Sequence, residues 1–146
     1  MSYTSEISAG DLRKILEQLD KDVKSLADIA EEEKDFARAN GFDSAVEFIF
    51  FEINCGAKTD NGVKLPDDAI FDYETSKYLS EENLSECRDK CLSVSSSSTY
   101  EAWFRQGMIR GYLEIRRRIK RHANGVPAED GTAIVDIVFW GAGTGR

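Results

Sequence analysis

Histidine is nearly missing from this chain, which has His122 and no other. That scarcity excludes H-E-x-x-H metalloproteases and sites built on paired imidazoles. Cysteine is sparse as well: Cys55, Cys87 and Cys91 make an odd number and contain no C-x-x-C pair. An odd count of this kind argues against a disulfide framework and for reduced thiols, hence for a cytoplasmic protein. No apolar run reaches the roughly 18 residues of a membrane helix, so no membrane partner is expected. The first twenty residues have no signal-peptide hydrophobic segment. No G-K-[ST] phosphate loop occurs, which leaves nucleotide hydrolysis of that type without support.

What is there suits one modest core. The 146 residues are 41% hydrophobic and 32% charged, with a formal net charge of −8. Residues 1–146 are expected to form a single globular domain, with 141–146 as a flexible glycine-rich tail. Leu12, Leu16, Leu19, Val23, Leu26 and Ala30 recur at spacings of four and three, and Ile15 and Ile29 widen the stripe. That is a helix lying on a core, with Ser8 or Asp11 as its cap and Asn40-Gly41 as its stop. Glu31, Glu32, Glu33 and Asp35 then fall late in the helix, where negative charge opposes the macrodipole. Ser44-x-x-Glu47 reads as a capping box that opens a short buried helix over 46–53, in competition with a strand. Asn61-Gly62 is a hairpin-turn signal between very short arms. Residues 66–78 look irregular, and Ser80 starts a helix running to about Leu92.

The second clear helix follows a capping box at Ser98-x-x-Glu101 and ends at Asn124-Gly125, with Pro127 just beyond. Its apolar residues fall on two faces: Phe104, Met108, Tyr112, Ile115 and Ile119 on one, Ala102, Ile109 and Leu113 on the other. Gly107 and Gly111 each cost about 1 kcal/mol against alanine in a helix, which implies a tight crossing by another element. After it, residues 132–140 (TAIVDIVFW) read as a strand with apolar residues on both faces. Such a strand needs cover on both sides and a hydrogen-bonded neighbour, within the chain or from another one. The fold class expected is therefore α+β, mostly α: two long crossing helices, shorter helices, and a small β element as a hairpin, a C-terminal strand or both.

Several chemical readings are open to test. Cys55, Cys87, Cys91 and His122 contain the ligand types of a Cys3His zinc site, but without paired knuckles, and idle or buried thiols are the simpler reading. Asp67, Asp68, Asp72 and Glu74 form the densest carboxylate cluster in a loop, a possible Mg²⁺ or Ca²⁺ site for a small metal-dependent enzyme. The spacing does not match an EF-hand. Gly141-Ala142-Gly143-Thr144-Gly145 follows an apolar segment like half of a dinucleotide fingerprint, but only Arg146 follows, so the helix that holds the pyrophosphate is lacking.

Charge is split unevenly. Residues 1–100 hold 11 basic and 22 acidic side chains; residues 101–146 hold 8 and 5. Trp103, Arg110, Glu114, Arg117 and Arg121 share one face of the second long helix. Tryptophan in line with arginines is the composition of an interface hot spot. The opposing reading is that basic residues stabilise the helix C-terminus and pair with Glu114. Nucleic acid is a further candidate partner for residues 105–121, although the −8 charge opposes phosphate binding. The expected role is non-enzymatic and needs no cofactor: an accessory or assembly subunit that binds another protein, or forms a homo-oligomer, through the Trp/Arg face and the last strand. The competing classes are an acidic inhibitor that imitates nucleic acid, using carboxylates of residues 11–52, and the metal-dependent enzyme at Asp67, Asp68 and Asp72.

Overall fold

A computed structural model describes residues 5–54, 64–93, 99–126 and 133–141, with backbone only for 91–93. Five helices and two short strands appear among them: β1 (Glu6–Ser8), α1 (Ala9–Ala27), α2 (Glu33–Asn54), β2 (Ile70–Asp72), α3 (Glu81–Ser93), α4 (Tyr100–Ala123) and α5 (Ile134–Trp140). A single 3-10 turn, Tyr73–Thr75, follows β2. The fold is the mostly helical α+β class that the periodicity implies.

The leucine stripe of α1 is buried from Leu12 to Leu26, and the Ser8 hydroxyl accepts from the Asp11 amide to cap it. The helix does not run on to Asn40-Gly41. It ends at Ala27, and α2 begins at Glu33 after a short turn. The acidic run explains the break. At the C-terminus of one helix those carboxylates would face the negative end of the dipole, whereas Glu33 and Asp35 now sit in the first turn of α2, where they stabilise it. The Glu32 carbonyl accepts from the Asp35 and Phe36 amides at 3.0 and 3.1 Å. Residues 46–53 are helical as expected, but Ser44 and Glu47 lie inside α2 and form no capping box.

Gly41 is likewise internal to α2, where it serves packing. α2 and α4 share the most extensive helix contact, and a Cβ on Gly41 would overlap the Phe104 carbonyl, while one on Gly107 would overlap that of Arg38. A Cβ on Gly111 would lie 2.8 Å from that of Ala45. The tight crossing inferred from Gly107 and Gly111 is therefore real. It brings Phe42, Ala45, Val46 and Ile49 of α2 against Tyr112, Ile115 and Ile119 of α4 in one core.

Among the described residues the β element does not involve the C-terminal segment; it joins the start of the chain to a part of 66–78 that the sequence reads as irregular. β1 pairs antiparallel with β2, Ile7 opposite Phe71, and this pairing ties the chain entry to the loop before the 3-10 turn. The Asn61-Gly62 turn and most of the glycine tail, residues 142–146, lie outside the described residues. The strand expected over 132–140 is corrected: of its described residues, 133–140, Ala133 is the N-cap and Ile134–Trp140 form α5. Ile, Val, Phe and Trp cost about half a kcal/mol each against alanine in a helix, roughly 3 kcal/mol over this segment. Burial of Ile137, Val138 and Phe139 against α1, α2 and α4 outweighs that cost, at about 1.5–3 kcal/mol per side chain. Gly141 closes the helix in the left-handed conformation at φ 72°.

α3 starts after Ser80, as expected, with the Asn83 amide donating to the Ser80 hydroxyl at 3.3 Å. α4 is capped by Thr99 and ends at Asn124, with Gly125 at φ 70°. Ser98 lies outside the described residues.

Candidate functional site

The face of α4 carrying Trp103, Arg110, Glu114, Arg117 and Arg121 combines scaffold and surface. Glu114 is wholly buried and accepts from both flanking arginines. Arg117 engages it with two hydrogen bonds, Nε to Oε1 at 2.8 Å and Nη2 to Oε2 at 2.7 Å, and Arg118 Nε donates to Oε2 at 2.7 Å. This is charge-assisted pairing at helical spacing, and most of its strength comes from exclusion of water. Arg110 reaches across to α5, and its Nη1 donates to the carbonyls of Val138 and Phe139 at 2.8 and 2.9 Å. Those carbonyls belong to the last turn of α5, so the guanidinium also meets the negative end of that helix. Arg121 is partly buried and has interactions of its own.

Elsewhere on α4 the cations are similarly engaged. Arg105 pairs with Glu101, and Arg116 donates to the Leu79 carbonyl at 2.7 Å while its guanidinium lies 4.3 Å from the Tyr73 ring centre. A phosphate backbone would have to displace these partners, which argues against a nucleic-acid role for 105–121. Of the two indoles, Trp103 is partly buried. Trp140 is 72% exposed at the end of α5, next to the Phe139 carbonyl that Arg110 holds. Sequence reasoning missed Trp140 as a surface group, because a strand reading assigned it to a covered face. Nearer the start of α4, Tyr100 stacks on Phe104, its hydroxyl accepts from Asn40, and its ring is half-exposed.

The carboxylates of the 66–78 loop do other work. Asp67 is exposed and pairs with Arg13 at 2.7 Å, Asp68 is exposed, and Asp72 caps the 3-10 turn by accepting from the Glu74 amide. Arg13 also donates to Asn54 and to the Ile53 and Leu65 carbonyls, so it ties the end of α2 to this loop. An open polar groove of about 550 Å³ lies nearby, lined by residues that include Glu74, Ser76, Lys77, Glu82 and Asn83, with none of Asp67, Asp68 or Asp72 among them. Of the four thiol and imidazole candidates, Cys55 and the Cys91 side chain lie outside the described residues. Cys87 packs on the core near Tyr112, and His122 faces Asp11 at 3.2 Å.

Among the described residues, the carboxylates that converge at a spacing suited to one cation are Asp20 of α1 with Asp43 and Glu47 of α2, whose oxygens lie within 4.8 Å of one another. Only a helix continued through Gly41 would have revealed that Asp43 and Glu47 share a face. Asp20 Oδ1 and Asp43 Oδ1 are shielded from solvent and meet no N–H donor among the described residues, and Lys24 Nζ donates to Asp20 Oδ2 at 2.9 Å. Burial, followed by the hydrogen bond to Asp20 and the charges of Asp20 and Glu47, pushes Asp43 up to about 7. The bond to Asp43, helped by Lys24, holds Asp20 below its ordinary value.

The folded protein thus keeps a proton on Asp43 that the unfolded chain releases near pH 4. Stability falls as the pH rises from about 4 to 7, by about 1–2 kcal/mol once solvent screening and Lys24 are allowed for. The opposite contribution of Asp20 is present above its unfolded value and is lost below that window. Asp43→Asn should flatten the slope and raise the melting temperature by about 3–5 °C near pH 8, with little change near pH 4.5. Thermal melts at the two pH values check this; parallel shifts of wild type and variant would contradict it. Comparison with known protein families, with curated proteins and with solved structures finds no match for this chain.

Proposed function

We propose that this protein is a non-enzymatic interaction module, an accessory or assembly subunit that docks on another protein through the face running from Trp103 past Arg110 to Trp140. The observation that carries the reading is the 72% exposure of Trp140 on a helix whose opposite side is fixed in the core. Tryptophan is the residue most often found at the energetic centre of an interface, and a rigid mount lowers the entropy cost of presenting it. Arg110 contributes mainly by holding that mount. Three cysteines with no pairing pattern accord with a reducing, cytoplasmic setting. Among the described residues no helix is long and apolar enough to cross a membrane.

Trp140→Ala should leave the melting temperature almost unchanged, as expected of an exposed side chain. It should weaken partner binding by about 30-fold or more, the effect of losing a hot spot. The check is affinity capture from the native cell with wild type and variant side by side, followed by titration of the captured protein against each. An unchanged set of bound proteins with unchanged affinity would refute the proposal. Light scattering of the purified chain tests the homo-oligomeric version, in which the partner is a second copy.

A further inference from the structure

The segment of α5 is at odds with its own sequence. Ile134, Val135, Ile137, Val138, Phe139 and Trp140 are β-branched or aromatic, interrupted only by Asp136. Alone, such a segment favours an extended strand, and a helix of 7 residues is far too short to persist in water. The N-cap residue, Ala133, supplies no side-chain hydrogen bond to the first turn. Three things keep the segment helical: burial of Ile137, Val138 and Phe139, the left-handed Gly141, and the two Arg110 hydrogen bonds to the Val138 and Phe139 carbonyls. Gly141 and Arg110 also depend on each other, because a Cβ on Gly141 would lie 3.0 Å from Arg110 Nε.

We infer that α5 is a releasable latch whose helical state is set by Arg110, and that once released it pairs as a strand with the same segment of a second copy of this chain. The physical basis is a conflict between local preference and tertiary context, which holds α5 closed while Arg110 is bonded to it and brings a second arrangement within reach once those bonds are lost. In the closed state the backbone amides from Asp136 onward are used within the helix, those of Asp136 and Ile137 donating to the Ala133 carbonyl and that of Gly141 to the Ile137 carbonyl. Released, they form an apolar, weakly charged, proline-free edge of the kind that pairs with its own copy. The second copy is the occupant with a matching sequence, and antiparallel pairing centred on Ile137 would set each Asp136 opposite a Val138 rather than opposite the other Asp136. This inference concerns the undocked segment and does not depend on Trp140 binding a different protein.

Arg110→Met, which keeps the aliphatic stem and removes the donors, tests it. Amide hydrogen exchange should show protection at 137–141 falling at least tenfold while the interiors of α1, α2 and α4 keep theirs. The variant should form dimers or larger species as concentration rises, with a strand-type infrared band that wild type lacks. Gly141→Ala, which crowds Arg110 and strains a φ of 72°, should release the same segment by an independent route. Uniform loss of protection in every helix, unchanged protection in α5, or a released segment that stays monomeric would each overturn the inference.

Discussion

Gly41→Ala is expected to destabilise the fold by about 3 kcal/mol or more, the upper end of what overpacking a core costs. Helix preference alone points the other way, since alanine is favoured over glycine by about 1 kcal/mol inside a helix. Space decides the sign. The new methyl group would overlap the Phe104 carbonyl, and the nearest atoms are helical backbone of the first half of α4, which cannot swing aside as a flexible side chain would. Relief requires α2 and α4 to separate, and that separation opens the packing around Phe42, Tyr112 and Ile115. Gly107→Ala should behave alike, because its methyl group would meet the Arg38 backbone. Gly125→Ala is the contrast: nothing lies within 4 Å, so only the left-handed backbone is strained, at about 1–2 kcal/mol. Urea unfolding midpoints of the three variants check the ranking, and a Gly41→Ala protein as stable as wild type would mean that the crossing is loose.

Removing the carboxylate of Glu114 should be comparably severe. Glu114→Ala leaves Arg118, only 6% exposed, with its charge buried and uncompensated, a situation that typically costs 3–5 kcal/mol. Arg117 has a way out, since its side chain is 19% exposed and can turn toward water. The pair rather than the carboxylate alone should therefore govern the loss. Glu114→Leu combined with Arg118→Met replaces charge by apolar volume and should recover most of the stability, with a coupling of about 1–3 kcal/mol in a double-mutant cycle. Additive losses would show that the two groups do not act together. By the same reasoning, reversing Arg110, Arg117 and Arg121 together to glutamate is expected to unfold the protein rather than only abolish docking. It would set negative charge against Glu114 and against the last carbonyls of α5.

Much of this architecture is legible from local pattern because local pattern is what determines it. The α1 stripe, the end of α4 at Asn124-Gly125 and the close approach at Gly107 and Gly111 all follow from one helix meeting one core. Misreadings arise where a residue type has two physical uses. Gly41 suits a helix stop and a helix crossing equally well by composition, and only the position of Phe104 selects the second. The segment at 134–140 is strand-like in its own preferences, and its helical state comes from α1, α2, α4 and a guanidinium 24 residues or more upstream in the chain. The angular position of the Trp/Arg face on α4 can be read from spacing. So can the pairing of Arg117 and Arg118 with Glu114, but not the partner of Arg110, which bonds backbone carbonyls that carry no sequence signal.

The fate of Trp140 is where the functional reading is most exposed to test. A photo-crosslinking aromatic placed at position 140, with the same probe at Ile29 as a well-exposed apolar control (61%), can be irradiated in living cells. A discrete higher-mass adduct formed from position 140 and absent from position 29 is the expected result. Equal adducts from both positions, or none from position 140, would contradict docking through this indole.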